Sequence, residues 1–208
     1  DELILLNIDR VDAAVDTLVS TVEKIAAACF VPFSVGGGIS SLRDARRLFS
    51  AGADKIIINS VTFDNPRLIT EIAAFAGTQA VVVGIDTKLV NGDYVIYSNG
   101  SALAQTISLS DHISRVIALG AGEIMIQSID NDGLMQGYDI NLIKNVVSQS
   151  SVPVIAAGGA GSFVHLNEAF QAQVNAVACG SLFNFGDNNP LRAKAFLSNL
   201  GVPLKRIK

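Results

Sequence analysis

The chain has 208 residues, half of which are apolar, and a formal net charge of -4 at pH 7. This length suits one domain, residues 1–208, with a large buried core, and the composition excludes a disordered chain. Because the balance of charge is acidic and Lys and Arg form no cluster, neither nucleic acid nor membrane is expected as a partner. No apolar run could span a bilayer and no basic, hydrophobic leader precedes the first strand, so we expect a cytoplasmic protein.

Short β-branched runs alternate with amphipathic stretches along the whole chain. The predicted strands are residues 2–7, 32–35, 54–58, 80–85, 123–128, 152–156 and 175–179. The predicted helices are residues 11–28, 42–51, 66–75, 109–119, 141–148, 164–171 and 190–199. Seven strand-then-helix units, with strands apolar on both faces, predict an α/β fold in which helices cover a parallel sheet.

Residues 86–97 break this alternation after the fourth predicted strand. They contain Asn91-Gly92 between two runs of alternating polar and apolar residues. Asn-Gly is typical of two-residue hairpin turns, because both residues adopt positive φ readily. The segment therefore predicts a β-hairpin inserted in a strand-to-helix loop.

An internal repeat relates the two halves of the chain. Residues 2–9 match residues 123–130, the glycine pair 37–38 matches 158–159, and Ser60 matches Ser181, since 123−2, 158−37 and 181−60 all give 121. Four units per half predict a (β/α)8 TIM barrel. The repeat mate of strand 80–85 would lie roughly 40 residues upstream of residue 1, so we expect the first β/α unit to be missing from this chain. An open, doubly wound seven-stranded sheet is the alternative.

Glycine and small polar residues follow the predicted strands, where the active site of a β/α barrel lies. Gly38 follows the second strand, Asn59 and Ser60 follow the third, and glycines let backbone N–H groups approach an anion. The repeat supplies a second set around residues 158–159 and 180–181. Either set alone could serve only as a tight turn. Two facing sets favour an elongated substrate with a phosphate at each end.

Carboxylates also stand at strand ends. Asp86 ends the fourth predicted strand, and Asp130 and Asp132 follow the fifth. A carboxylate in the mouth can transfer a proton if its neighbours tune its pKa, although each could instead cap a hairpin or loop.

The remaining reactive residue types form no cluster. His112 and His165 fall in predicted helices, as surface or helix-packing residues, and Cys29 and Cys179 lie in apolar segments, which predicts buried free thiols. We therefore expect no metal and no other cofactor.

Three charged residues stand at strand starts, on the opposite end of the barrel. They are Glu2, Lys55 and Glu123, of which Glu2 and Glu123 are repeat mates. Spacing alone favours a structural role, because charges at this end normally cap or solubilise.

Several motifs in fixed order resemble one known family. They are Val-Pro-Phe-Ser-Val-Gly-Gly-Gly-Ile at 31–39, Gly-Ala-Asp-Lys-Ile-Ile-Ile-Asn-Ser at 52–60, Ser-Ile-Asp-Asn-Asp-Gly at 128–133 and Ala-Gly-Gly-Ala-Gly at 157–161. The chain is similar, from residue 1 to about Phe185, to the cyclase subunit of imidazole glycerol phosphate synthase. The resemblance implies a (β/α)8 barrel that adds ammonia to a bisphosphorylated ribonucleotide. The products would be imidazole glycerol phosphate, for histidine, and aminoimidazole carboxamide ribotide, for purines.

The resemblance also implies roles by position. Asp86 matches one of two catalytic aspartates, the other belonging to the strand expected to be missing. The first phosphate site would consist of Gly38, Asn59 and Ser60, and the second of Asp132, Gly133, Gly158, Gly159, Gly180 and Ser181. Glu2, Lys55 and Glu123 match an ammonia gate, and Asp54 and Gln79 match positions where a glutaminase subunit docks to form a heterodimer.

The chain departs from the family pattern at the mouth. The departing residues are Asn7, Gly100, Gln127 and Ala157. Residues 131–138, Asn-Asp-Gly-Leu-Met-Gln-Gly-Tyr, resemble paralogues of surface-polysaccharide synthesis, which pair with a glutaminase and supply ammonia for sugar amidination. That role is the alternative function. A related isomerase barrel is a third possibility, disfavoured because it needs no charged gate.

Overall fold

Seven parallel strands in chain order form the main sheet of the computed structural model, which describes residues 1–8 and 15–205. They are β1 (Leu3–Leu6), β2 (Phe33–Gly36), β3 (Lys55–Ile58), β4 (Val81–Val90), β7 (Glu123–Ser128), β8 (Val154–Ala157) and β9 (Ala176–Val177), while β5 (Asp93–Ser98) and β6 (Leu103–Ala104) lie beside β4. The strand order never reverses, as it would in a doubly wound sheet. The predicted β/α-barrel plan is confirmed, and the doubly wound alternative is wrong.

Helices connect the strands and cover the outer face of the sheet. They are α1 (Val15–Ala26), α2 (Leu42–Ser50), α3 (Val61–Asp64), α4 (Arg67–Ala76), α5 (Leu109–Leu119), α6 (Ile140–Gln149), α7 (Phe163–Gln171), α8 (Ser181–Asn184) and α9 (Pro190–Asn199). The short helices α3 and α8 were not predicted. Residues 11–14 of the first predicted helix, and Asp9 of the repeat, lie outside the described residues. No helix of residues 1–8 and 15–205 is long and apolar enough to cross a membrane.

The sheet separates two apolar layers, because side chains alternate along each strand. Val81 and Val83 of β4 face the outer layer, where they join helix residues such as Ile69 in the main core. Val82, between them, joins a small inner cluster with Ile4 of β1 and Ile155 of β8. Strands from opposite parts of the chain thus share one interior, so the sheet is curled.

The internal repeat is also a structural repeat. Asp54 Oδ2 accepts a hydrogen bond from the Phe33 N–H at 2.8 Å, and the repeat mates of both residues do the same. There, Asn175 Oδ1 accepts from the Val154 N–H at 2.9 Å. Each contact ties the start of one strand to the start of the next, so the two halves are built on one plan.

The predicted hairpin after the fourth strand is confirmed. Strand β4 runs beyond its predicted end to Val90 and pairs with β5 in antiparallel register through Asn91 and Gly92. Their φ angles of 52° and 92° fit a turn with two left-handed residues. The two-residue strand β6 extends the hairpin and was not predicted.

Candidate active site

Asp86 lies in the mouth, at the carboxyl ends of the parallel strands. In the sheet register it stands beside Gln127 of β7 and opposite Tyr97 of the hairpin. Asn59, directly after β3, donates a hydrogen bond from Nδ2 to Asp86 Oδ2 at 3.0 Å. Both residues were predicted at strand ends, and the structure places their side chains in contact.

The surroundings of Asp86 favour its protonated form. The pKa of Asp86 is raised from 3.8 to about 6, chiefly by burial; the hydrogen bond from Asn59 lowers it and the negative charge of Asp132 raises it, and about 6 is the net result. A carboxyl group with this pKa holds its proton for an appreciable fraction of the time near neutral pH. It can therefore act as a general acid or a general base.

Asn59 is oriented by Asp86 and not by the neighbouring loops. Its other side-chain atom, Oδ1, is buried and has no hydrogen-bond partner among the described residues. Such an acceptor is costly to bury unless something else binds it. Ser60 is also engaged, since its Oγ accepts from the Asn99 N–H of the hairpin at 2.8 Å.

The first predicted phosphate loop lies where β2 ends. Gly37 and Gly38 have φ angles of 95° and 72°, which favour glycine. A Cβ atom on Gly37 would lie 2.1 Å from the Asn7 carbonyl oxygen. Because β2 and β3 are neighbours, Gly38, Asn59 and Ser60 share one edge of the sheet; we call these three residues the first cradle.

The six residues of the second predicted phosphate site line one cavity of about 70 Å³. They are Asp132, Gly133, Gly158, Gly159, Gly180 and Ser181, which we call the second cradle. The space exceeds the roughly 10–15 Å³ that a single water needs. Sequence reasoning missed four further lining residues, Met135, Ala160, Ala178 and Cys179.

The loops around this cavity present backbone donors. Within residues 15–205, the N–H groups of Gly159, Cys179 and Gly180 donate to no backbone or side-chain acceptor. The loops are packed tightly, since a Cβ on Gly159 would lie 2.2 Å from the Gly137 carbonyl oxygen. Closely packed glycine loops with free N–H groups are suited to binding an anion.

Glu2, Lys55 and Glu123, which were predicted at strand starts, are in contact at the opposite end of the barrel; we call them the bottom cluster. Lys55 Nζ lies 3.0 Å from Glu2 Oε2 and 2.8 Å from Glu123 Oε1. Burial lowers the pKa of Lys55, but its hydrogen bonds and charge interactions with the two carboxylates outweigh burial and leave the pKa raised. The lysine therefore stays charged between two acidic partners.

The two predicted docking residues lie at this same end. Asp54 immediately precedes β3, and its carboxylate accepts from the Phe33 N–H, so it already has a structural role. Gln79 is exposed and donates from Nε2 to the Ala76 carbonyl at 3.1 Å.

Of the remaining candidates, Cys179 lines the cavity of the second cradle. His112 is fully buried in α5 and stacks on Phe63 with ring centroids 4.5 Å apart, so it is a helix-packing residue. Cys29 and Cys179 are free and only partly buried. No group of three or more His, Cys, Asp or Glu side chains in the described ranges could hold a metal ion.

Comparison with known proteins gives a consistent result. Residues 1–189 match the family described as histidine biosynthesis protein. The chain is 40% identical over 208 residues to imidazole glycerol phosphate synthase subunit HisF of Hyphomonas neptunium, covering 100% of the chain and 82% of the relative. Subunits of the same name from Exiguobacterium sibiricum and Pyrococcus furiosus are 38% and 39% identical over 205 residues, covering 99% of the chain and 82% of each relative.

Proposed function

The chain belongs to the histidine biosynthesis protein family, and within it we propose that it is the cyclase subunit of imidazole glycerol phosphate synthase. In this role it uses ammonia to convert a bisphosphorylated ribonucleotide, phosphoribulosyl-formimino aminoimidazole carboxamide ribotide phosphate, into imidazole glycerol phosphate and aminoimidazole carboxamide ribotide. The comparisons give no support to the alternative role in sugar amidination.

The observation that carries the proposal is the carboxyl group of Asp86 in the mouth. Addition of ammonia to a carbon removes a proton from nitrogen, and loss of the amine product returns one. A group with a pKa of about 6 can do both at neutral pH. We assign this proton transfer to Asp86, which Asn59 holds in one orientation through its hydrogen bond.

Two phosphate groups would anchor the substrate on either side of Asp86. The second cradle offers free N–H groups from Gly159 and Gly180 beside a cavity of about 70 Å³. The first cradle offers Gly38 and the hydroxyl of Ser60, which accepts from Asn99 and still has its own hydrogen to donate. Backbone donors hold a phosphate without adding flexible side chains.

A partner subunit would supply the ammonia. The relatives are named as subunits, which is consistent with assembly into a complex. We assign the docking face to the end that carries the bottom cluster, Asp54 and Gln79, and a glutaminase to that face. We assign the gate to the ion pairs of Lys55 with Glu2 and Glu123, which would have to open for ammonia to enter. Cytoplasmic location is part of the same proposal.

The decisive experiment is turnover of the bisphosphorylated ribonucleotide with ammonium chloride. We expect imidazole glycerol phosphate from a version of the protein that includes the first β/α unit, and none from Asp86→Asn in that version, because only the proton-transferring oxygen is lost. Asp130→Asn is the matched control, since Asp130 is exposed and bonds to Lys88 and the Leu89 N–H. Lack of product from a folded protein that still binds the bisphosphate would favour sugar amidination.

The gate has a separate test. Lys55→Met should leave ammonium-driven turnover unchanged and disturb turnover driven by glutamine and the glutaminase. The substitution removes the positive charge that forms ion pairs with both Glu2 and Glu123. Equal effects on both reactions would remove the gate from the proposal.

A further inference from the structure

We propose that Tyr138 is a positioning residue for the second cradle, fixing the peptide between Ala178 and Cys179 so that the N–H groups of loop 178–181 face a bound phosphate. The inference rests on the proposed function, which identifies the phosphorylated ligand as the cyclase substrate. Tyr138 is only 6% exposed, and its hydroxyl lies 3.0 Å from the Ala178 carbonyl oxygen and 3.2 Å from Cys179 Sγ. Both contacted residues line the cavity.

The chemistry of the two groups determines which of them donates the hydrogen bond between Tyr138 and Ala178. A phenol has one hydrogen, and a carbonyl oxygen can only accept, so the hydroxyl of Tyr138 donates to Ala178. The thiol of Cys179 then donates to the phenol oxygen. Burial raises the pKa of both Tyr138 and Cys179, so both groups keep the protons that this arrangement needs.

The peptide between Ala178 and Cys179 directly follows β9, where the pairing of β9 with β8 ends. The Ala178 N–H donates to the Ala156 carbonyl at 2.8 Å, and the N–H groups of Cys179 and Gly180 have no acceptor in the described residues. In a planar trans peptide the carbonyl of one residue and the N–H of the next point in opposite directions. Holding the Ala178 carbonyl against Tyr138 therefore turns the Cys179 N–H away from Tyr138. A flipped peptide would present a carbonyl oxygen to the anion and repel it.

Tyr138 can hold this peptide because its own segment is held on both sides. The preceding Gly137 N–H donates to the Gly159 carbonyl at 2.8 Å, which links it to another loop of the second cradle. The following Asp139 caps α6 through the Leu142 N–H at 2.9 Å. The Tyr94 hydroxyl donates to the same carboxylate at 3.0 Å, but the cap of α6 forms without it. The segment around Tyr138 is therefore held in place, and the hydroxyl of Tyr138 fixes loop 178–181 against it.

The test compares Tyr138→Phe with Tyr94→Phe, using inorganic phosphate as the ligand in titration calorimetry. Each variant loses one hydroxyl that contacts this region, but only that of Tyr138 touches loop 178–181. We expect Tyr138→Phe to weaken phosphate binding about five- to tenfold, the value of one hydrogen bond. Tyr94→Phe should bind phosphate like the wild type. In turnover, Tyr138→Phe should raise KM by a similar factor and change kcat less than about twofold, since Asp86 is untouched.

The results that would contradict the positioning role of Tyr138 are as follows. Wild-type phosphate affinity in folded Tyr138→Phe, or an equal loss in Tyr94→Phe, would overturn the assignment. If Tyr138→Phe does not fold, NMR of the wild type tests it: added phosphate should shift the amide resonances of Cys179 and Gly180, and phosphate that binds without moving them would overturn the assignment. Absence of phosphate binding by the wild type would instead contradict the proposed function.

Discussion

Replacing Asp86 with Asn should stabilise the fold at neutral pH while abolishing cyclase turnover. The reason is that the charged form of Asp86 is disfavoured by burial and by Asp132. In the unfolded chain the carboxylate is hydrated and separated from Asp132. An amide has nearly the same shape as the carboxylate, can still pair with Asn59, and carries no charge to desolvate.

The size of the gain follows from the raised pKa. Between 3.8 and about 6, the folded state binds more protons than the unfolded state, so the free energy of unfolding falls as pH rises. The difference of roughly two pKa units corresponds to about 3 kcal/mol at most. The cost is absent below pH 3.8 and complete above pH 6. Since an amide is also costly to bury, we expect Asp86→Asn to gain about 2 kcal/mol at pH 7.5, or roughly 4–8 °C in Tm.

Urea denaturation of the wild type and of Asp86→Asn at pH 7.5, 6.0 and 4.5 measures this gain. The difference in midpoint should be largest at pH 7.5 and shrink toward zero at pH 4.5. Asp130→Asn should show no such trend, because Asp130 is 40% exposed and paired with Lys88. A gain that does not depend on pH, or a loss of stability at pH 7.5, would refute the reasoning.

Four further substitutions, of which Gly133→Ala is a control, test Asn59, the glycines of the second cradle and His112. Asn59→Ala removes the hydrogen bond that lowers the pKa of Asp86, so the acid limb of the pH–rate profile should move to higher pH; an unmoved limb would separate Asn59 from the proton transfer. Gly159→Ala places a Cβ 2.2 Å from a carbonyl oxygen at φ 108° and should cost about 3–5 kcal/mol in urea denaturation. Gly133→Ala, at φ 77° with no atom within 4 Å, should cost only about 1–2 kcal/mol, and equal costs would contradict the steric argument. His112→Phe should gain stability relative to the wild type as pH falls from 6.5 to 4, because burial, aided by Arg115, lowers the pKa of His112 to about 4; parallel pH curves would contradict this.

Much of the fold could be predicted, because strand and helix periods and the repeat point the same way. Strand β7 and helices α5 and α9 have their predicted bounds. The elements that were missed are too short to show a period: β6 has two residues, and α3 and α8 have four each.

The place of each candidate site residue in the fold could be predicted, but the direction of its side chain could not. The rule that barrel sites lie at strand ends placed Asp86 in the mouth and all of the second cradle around one cavity. The role of Asn59 as a phosphate ligand stays a prediction, whereas its bond to Asp86 was not predicted, because it depends on side-chain torsions that sequence does not encode locally. The bond from Tyr138 to Ala178 joins residues 40 positions apart with no shared motif.

Asp86 and His112 have opposite effects on the free energy of unfolding as pH falls. Protonation of Asp86 removes a cost of up to about 3 kcal/mol between pH 6 and 4, while His112, which the fold keeps neutral, imposes a cost of similar size between pH 6.5 and 4. In the wild type these two contributions nearly cancel, so a flat stability curve in this range would hide both groups. Asp86→Asn should leave only the His112 cost, and His112→Phe only the gain from Asp86. The two variants should therefore have pH dependences of opposite sign, which no general effect of acid on the chain would produce.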